Sequence, residues 1–256
     1  MQFLKMQATG NDFLILDGQK YTAPAKPLRP QMARHYCQRI YGFGADGFLV
    51  LEKTAAGIQW DFYNSDGSPA NMCGNAARAV GRYLMDQNRG DRADFLTNVG
   101  RVSAKRISQN EIEVEFEIPN TPIKKVISPE GFWIDTGVPH VVLITNSLQD
   151  VSLLRTVGQD VKSQYSQDGI NVTFFIPHAP NEIEATTFER GVEDFTLSCG
   201  TGALAAARIH LQQKDGACEV QVPGGKLHVT FKGNRAILRG EACIVGWCAP
   251  AEGASK

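Results

Sequence analysis

The spacing of apolar residues changes along the chain, and the changes mark its elements. FLKMQA and FLILD are apolar runs separated by Gly10-Asn11-Asp12, which reads as strand, turn, strand with Asn11 at the tip. A proline-rich connector, APAKPLRP, leads into a helix expected to start near Pro30 and end before Gly42. The strands FLVLE and IQWDFYN follow, the second running into an Asn-Ser-Asp-Gly turn. AARAVGRYLMDQ has helical spacing and no internal proline; DFLTNVGRVSAKRI and EIEVEFEIP alternate like two or three antiparallel strands. The pattern breaks at Pro119-Asn120-Thr121-Pro122.

Beyond that break the order recurs. GFWIDTG and HVVLIT read as strands, DVSLLRTVGQDV as a helix, INVTFFIP and EIEATTFER as strands, and TGALAAARIHLQQK as a second small-residue helix. The tail from Cys218 to Trp247 is β-rich with Gly/Asn turns, a meander that closes the second half and sends a last strand back to the first; residues after Pro250 read as frayed. The expectation is an α/β (α+β) chain of two related lobes, 1–118 and 119–245, with about 246–256 a candidate to rejoin the first.

Each small-residue helix is opened by a Cys-Gly turn. Asn71-Met72-Cys73-Gly74-Asn75-Ala76-Ala77-Arg78 and Ser198-Cys199-Gly200-Thr201-Gly202-Ala203 place the cysteines 126 residues apart, about half the 256-residue chain, as two related lobes would. A thiol at a helix start sits beside open backbone N–H groups and the positive end of the helix dipole, which favours thiolate. The N–H groups of Gly74, Asn75, Gly200 and Thr201 also suit a carboxylate. If both thiols flank one carbon, one can remove a proton while the other delivers one to the opposite face, inverting a stereocentre. Tight helix packing alone would explain either motif singly, and a Cys–His nucleophile is the competing chemistry; neither motif has an adjacent histidine.

Composition narrows the partners. With 26 basic and 27 acidic residues the net charge is -1, and there is no basic run, so neither nucleic acid nor an anionic membrane is an expected partner. No leader or membrane-spanning stretch is visible, which makes cytoplasmic the expected location and a small molecule the expected ligand. Gly42, Gly44 and Gly47 spell G-x-G-x-x-G, but they follow a helix and open a strand, the reverse of a dinucleotide site. No cysteine–histidine spacing suggests a metal, and Cys37, Cys218 and Cys243 read as small core residues.

ATGNDF, NSDGSPANMCGNAAR, VPH, GINVTF, ERG and SCGTGA together resemble the diaminopimelate epimerases, cofactor-independent amino-acid epimerases related to proline racemases. The resemblance implies two pseudo-symmetric lobes, each a curved, mostly antiparallel sheet or barrel around a central helix, with the site between them. It implies Cys73 and Cys199 as the acid–base pair, and Asn11, Gly74, Asn75, Glu189, Gly200 and Thr201 on the substrate's α-carboxylate and ammonium. Asn64, Asn171 and Arg190 would read the distal end, with His140 supporting. It implies no metal, pyridoxal phosphate or nucleotide; a homodimer is the candidate assembly. On the residues alone, Asn11 and Asn64 also serve as turn formers, Glu189–Arg190 as a solvated ion pair, and His140 as a core histidine.

The chain departs from the family at two places. Gly137-Val138-Pro139-His140 replaces the usual Gly-Asn-Pro-His, and ERGVEDFTLSC is one residue longer than usual. Both bear on the substrate rather than the reaction, so a racemase of another amino acid, proline or hydroxyproline in type, stands as the alternative, and a non-catalytic amino-acid binder as the alternative from another class.

Overall fold

Thr9 and Gly10 both adopt positive φ, 53° and 85°, and turn the chain between β1 (Phe3–Ala8) and β2 (Asn11–Asp17), with Ala8 opposite Asn11. Positive φ at both central residues matches the right-handed twist of a two-residue hairpin. A computed structural model of the chain describes residues 1–126, 129–165 and 169–251, and these divide into two units: Met1–Ile112 with the returning segment from Ala242, and Glu113–Glu241.

In the first unit, a 3-10 turn (Lys26–Leu28) and α1 (Arg29–Tyr36) carry the chain from β2 to a parallel β3 (Gly47–Thr54), which pairs antiparallel with β4 (Gly57–Asn64). Then α2 (Gly74–Asn88) leads to β5 (Arg92–Thr97), which touches β4 in parallel and pairs antiparallel with β6 (Gly100–Arg106). The chain passes into the second unit within β7 (Glu111–Glu117) and comes back as β17 (Cys243–Cys248), antiparallel to β1. Helix α2 packs against β1, β2, β5 and β6, and every residue from Gly74 to Gly81 is buried. A helix buried all round must be small-sided, and Gly81 shows why: a Cβ there would stand 2.4 Å from that of Ala104. Helix α1 covers a separate cluster that includes Phe3, Leu14, Phe48 and Cys37.

The second unit repeats the plan. β8 (Lys124–Val126), β9 (Gly131–Asp135) and β10 (Pro139–Ile144) are antiparallel neighbours, and α3 (Val151–Gln164), capped by Asp150, leads to a parallel β11 (Asn171–Ala179). β11 pairs antiparallel with β12 (Glu182–Glu189), which takes the short β13 (Asp194–Phe195). After α4 (Gly200–His210) come β14 (Gly216–Val222), parallel to β12, then β15 (Gly225–Lys232) and β16 (Arg235–Glu241) as an antiparallel meander. Helix α4 packs against β9 to β12 and β14 to β16 and is buried from Gly200 to Ala207, so the sheet wraps it as the family resemblance implied.

Strand registers align the two units residue by residue. Tyr63 bridges Pro69 four residues before Cys73, and Phe188 pairs with Phe195 four residues before Cys199. Tyr63 therefore corresponds to Phe188 and Asn64 to Glu189. Through Phe48↔Tyr63 and Leu14↔Phe48, against Val172↔Phe188 and Val141↔Val172, Phe13 corresponds to His140, Asn11 to Val138 and Asp46 to Ile170. Gly10-Asn11-Asp12-Phe13 and Gly137-Val138-Pro139-His140 are the same corner of the fold used twice.

Two expectations need correction. The first helix ends at Tyr36, not before Gly42: Ile40 and Tyr41 are 79% and 85% exposed and give a further turn nothing to bury. Gln38 Oε1 instead takes the N–H groups of Ile40 and Tyr41, and the chain reverses so that Phe43 stacks on Tyr36. Cys243 is half-buried on β17 rather than core, whereas Cys37 and Cys218 are buried as expected. The frayed end after Pro250 lies outside the described residues from 252 onward.

Candidate active site

Both cysteines cap the helices that the sequence assigned to them. Cys73 is the N-cap of α2 in extended conformation, and its Sγ accepts the Ala76 N–H at 3.5 Å. Cys199 is the N-cap of α4, with its thiol buried and 3.5 Å from Thr201 Oγ1. Gly74, Asn75, Gly200 and Thr201 are the first helical residues, where backbone N–H groups have no partner within the helix and attract negative charge.

Around Cys73 the structure gathers Asn11 and Asn75. Asn11 Oδ1 lies 3.8 Å from Cys73 Sγ and receives Asn75 Nδ2 at 3.4 Å. Asn75 Oδ1 accepts from Arg78 Nη2 at 2.9 Å, and the same nitrogen reaches Thr9 Oγ1 at 2.8 Å. On the other side Asn11 Nδ2 donates to Asp46 Oδ2 at 2.6 Å. Asp46 Oδ1 and Asp12 Oδ1 both accept from Arg39 Nη2, at 2.7 and 3.0 Å, and Lys5 lies 3.2 Å from Asp12. Burial works against the Asp12 charge, but Arg39 and Lys5 outweigh it and hold this carboxyl below its ordinary value. Burial and the neighbouring Asp12 charge push Asp46 upward. Asn64, expected at the same site, ends β4 with its amide donated to Ser68 Oγ at 3.0 Å.

Around Cys199 the partners are hydroxyls and one imidazole. Thr201 Oγ1 lies 3.0 Å from His140 Nε2, His140 Nδ1 lies 2.9 Å from Thr173 Oγ1, and Thr173 lies 3.0 Å from Thr187 Oγ1. Thr136 Oγ1 donates to the Thr201 carbonyl at 3.0 Å. All these side chains are buried. Burial, aided by the Arg190 charge, pushes His140 down to about 3, so it is a neutral imidazole that must take one donor and one acceptor role.

The remaining expected residues sit at the end of β12. Arg190 donates its backbone N–H to Asn171 Oδ1 at 2.9 Å and its Nη1 to the Gly169 carbonyl at 2.6 Å, while Glu189 accepts the Thr196 hydroxyl. Asn171 is buried and spends its oxygen on the Arg190 backbone. Among the described residues no cluster of three His, Cys, Asp or Glu side chains could hold a metal, and no helix is long and apolar enough to cross a membrane.

Sequence reasoning missed Asp46, Arg39, Arg78, Thr136, Thr173 and Thr187. Asp46 was hidden in a glycine-rich turn, and the threonines have the β-branched shape of any strand core residue. Arg78 carried a usable signal, a charged residue inside the Ala, Gly and Val stretch Ala76–Gly81.

The fold has been seen in a racemase-type protein. A probable proline racemase from Agrobacterium radiobacter K84, solved with bound carbonate, matches with a TM-score of 0.71 at 13% identity, covering 98% of this chain and 92% of that one. The particular family follows from the sequence. The chain belongs to the diaminopimelate epimerase family, whose pattern matches residues 3–120 and 132–245, and it is an isomerase of the epimerase class. The diaminopimelate epimerase of Methanopyrus kandleri is 34% identical over 250 residues, 96% of this chain and 87% of that protein. That of Helicobacter pylori is 33% identical over 267 residues, 96% of this chain and 95% of that protein.

Proposed function

We propose that the protein interconverts LL- and meso-diaminopimelate, in the service of lysine and peptidoglycan synthesis, with Cys73 and Cys199 as its two acid–base groups. One thiolate takes the α-proton and becomes a thiol; the other thiol gives its proton to the opposite face and becomes a thiolate. The charge count is unchanged, and the two cysteines have exchanged roles. The observation that carries this reading is the pair of N-cap thiols on two buried helices, in a chain of this family.

The N–H groups of Gly74, Asn75, Gly200 and Thr201 would hold the α-carboxylate, with Asn11 and Glu189 completing the amino-acid end and Asn64, Asn171 and Arg190 reading the distal end. His140 supports Cys199 through Thr201. We infer a cytoplasmic enzyme that works without a bound cofactor, as a homodimer that light scattering would recognise by its mass.

The deciding measurement is α-proton exchange in deuterated solvent across a panel of amino acids. Exchange on diaminopimelate, lost on Cys73→Ser or Cys199→Ser, is the expected result. Exchange confined to proline or hydroxyproline would replace the substrate, a reading favoured by Val138 at the position equivalent to Asn11. Binding without exchange, tolerant of both serine variants, would make the protein a binder.

A further inference from the structure

We propose that Asp46 is a positioning residue that keeps the resting proton on Cys73, by holding the Asn11 amide so that its carbonyl oxygen and not its nitrogen faces the thiol. An asparagine amide can be turned either way, and only its partners decide the orientation. Here both ends of a chain of amides are fixed by groups with a single role. Arg78 can only donate, so the oxygen of Asn75 faces it and the Asn75 nitrogen points to Asn11. The Asp46 carboxylate can only accept, so the nitrogen of Asn11 faces it at 2.6 Å. Turning Asn11 over would put oxygen against carboxylate and nitrogen against nitrogen. The orientation is therefore locked, and Asn11 Oδ1 is the atom 3.8 Å from Cys73 Sγ.

Asp46 is itself fixed from several directions. Its backbone N–H goes to Asp12 Oδ1 at 3.0 Å while its Oδ2 takes the Asp12 N–H at 3.2 Å, its Oδ1 takes Arg39, and its carbonyl accepts Ser65 N–H at 3.0 Å. Asp46 thus ties the tip of β2 to the start of β3 through its carboxylate, and to the turn after β4 through its backbone carbonyl.

A carbonyl oxygen can accept S–H but repels a thiolate. The Ala76 N–H at 3.5 Å favours the thiolate, but a helix start does the same for Cys199, so it does not distinguish the two cysteines. Within the first unit the charged groups nearest this amide chain are Arg78 on α2, Asp12 on β2, Asp46 before β3, Arg39 in the preceding turn and Lys5 on β1. The second unit has no copy of the device. Ile170 stands where Asp46 would be and Val138 where Asn11 would be, and the Thr201 hydroxyl beside Cys199 can donate as readily as it accepts. The two cysteines are therefore unequal at rest, Cys73 the acid and Cys199 the base. This inference rests on the two-thiol reading of the site, and its test does not depend on turnover.

In a Cys199→Ser background, the pH dependence of iodoacetamide alkylation at Cys73, read by mass spectrometry, reports the thiolate directly. Asp46→Asn releases the Asn11 amide and should move the midpoint down by about one pH unit, roughly tenfold more thiolate at a fixed pH below it. Asp12→Asn removes a neighbouring negative charge but leaves the Asp46–Asn11 bond, and should move the midpoint far less. Equal shifts in both would mean that charge and not orientation is at work, and an unmoved or raised midpoint in folded Asp46→Asn would also overturn the proposal. If Asp46→Asn does not fold, neutron diffraction of the unmodified enzyme in deuterated buffer decides. Deuterium on Cys73 Sγ directed at Asn11 Oδ1 supports the assignment, and its absence rejects it. Failure of diaminopimelate exchange by the parent enzyme would instead strike the substrate reading and leave these results standing.

Discussion

His140 Nε2 and Thr201 Oγ1 lie 3.0 Å apart, and this contact joins a buried imidazole to the residue whose hydroxyl stands 3.5 Å from the Cys199 thiol. Thr201→Val keeps the shape and removes the hydroxyl, leaving an imidazole nitrogen buried without its partner. The expected loss is about 1–3 kcal/mol of stability. Exchange activity should fall by roughly tenfold or more, the rate equivalent of about 1.4 kcal/mol. Thr201→Ser should recover both. Urea unfolding and solvent-deuterium exchange measure them separately, and full activity in Thr201→Val would show that Cys199 does not use this hydroxyl.

The same histidine sets a pH dependence of stability. Its folded value of about 3 lies below its ordinary 6.5, so between these the unfolded chain binds the proton and the folded one does not. The contribution is present above about pH 6.5 and is lost progressively as pH falls toward the folded value. His140→Phe, which installs the residue found at the equivalent Phe13 position, removes the titration. Its urea midpoint should be lower at neutral pH but should change less between pH 7 and pH 5 than that of the parent. Parallel profiles would mean that His140 is not the group responsible.

Both the skeleton of the site and its limits were visible in the sequence for physical reasons. Cys73 and Cys199 declare helix starts because a glycine and a run of small residues follow each, and the structure places both as N-caps. The hairpin corner at Asn11 was legible as a turn between apolar runs, while its counterpart at Gly137-Val138-Pro139-His140 emerges only from the strand registers. What periodicity could not show is which strand threonines carry a hydroxyl into the core, since Thr173 and Thr187 pattern like valines. Nor could it show that Asp46 reaches Asn11, 35 residues away in sequence, because parallel pairing of β2 with β3 is a tertiary fact. The early end of α1 has the same origin: it is set by Phe43 folding back onto Tyr36, not by the helix signals around Pro30 and Gly42.

Gly202 shows how closely α4 approaches the threonines. A Cβ there would stand 2.3 Å from Thr187 Oγ1 and 2.9 Å from Thr173 Oγ1, both held in the hydroxyl–imidazole chain. Gly202→Ala must push the helix or break that chain, a change expected to cost about 1–3 kcal/mol and to reduce exchange activity sharply. Gly246→Ala on β17 meets no atom within 4 Å and has no positive φ, so it should leave melting and activity unchanged. A Gly202→Ala protein as stable and active as Gly246→Ala would contradict the packing described for α4.

Arg29 carries a charge into the first unit far from Cys73 in sequence, and its partners explain how it is tolerated. Its side chain is 3% exposed, with Nη1 and Nη2 on the two oxygens of Glu52 at 2.9 Å, Nη1 on Asp61 at 2.7 Å, and Nε on the Pro24 carbonyl at 2.9 Å. The fork geometry suits guanidinium and not ammonium, so Arg29→Lys should also destabilise the protein, though less than Arg29→Ala. Removing the arginine leaves Glu52 and Asp61 facing each other, for which about 3–5 kcal/mol is the expected loss. Hydrogen bonding to Arg29 holds Glu52 below its ordinary 4.5, so this part of the stability is present above that value and disappears as pH falls through the lowered one. Arg29→Ala should therefore narrow its deficit against the parent as the urea series moves from pH 7 toward pH 4. A deficit that stays constant would mean that the arginine stabilises by packing alone.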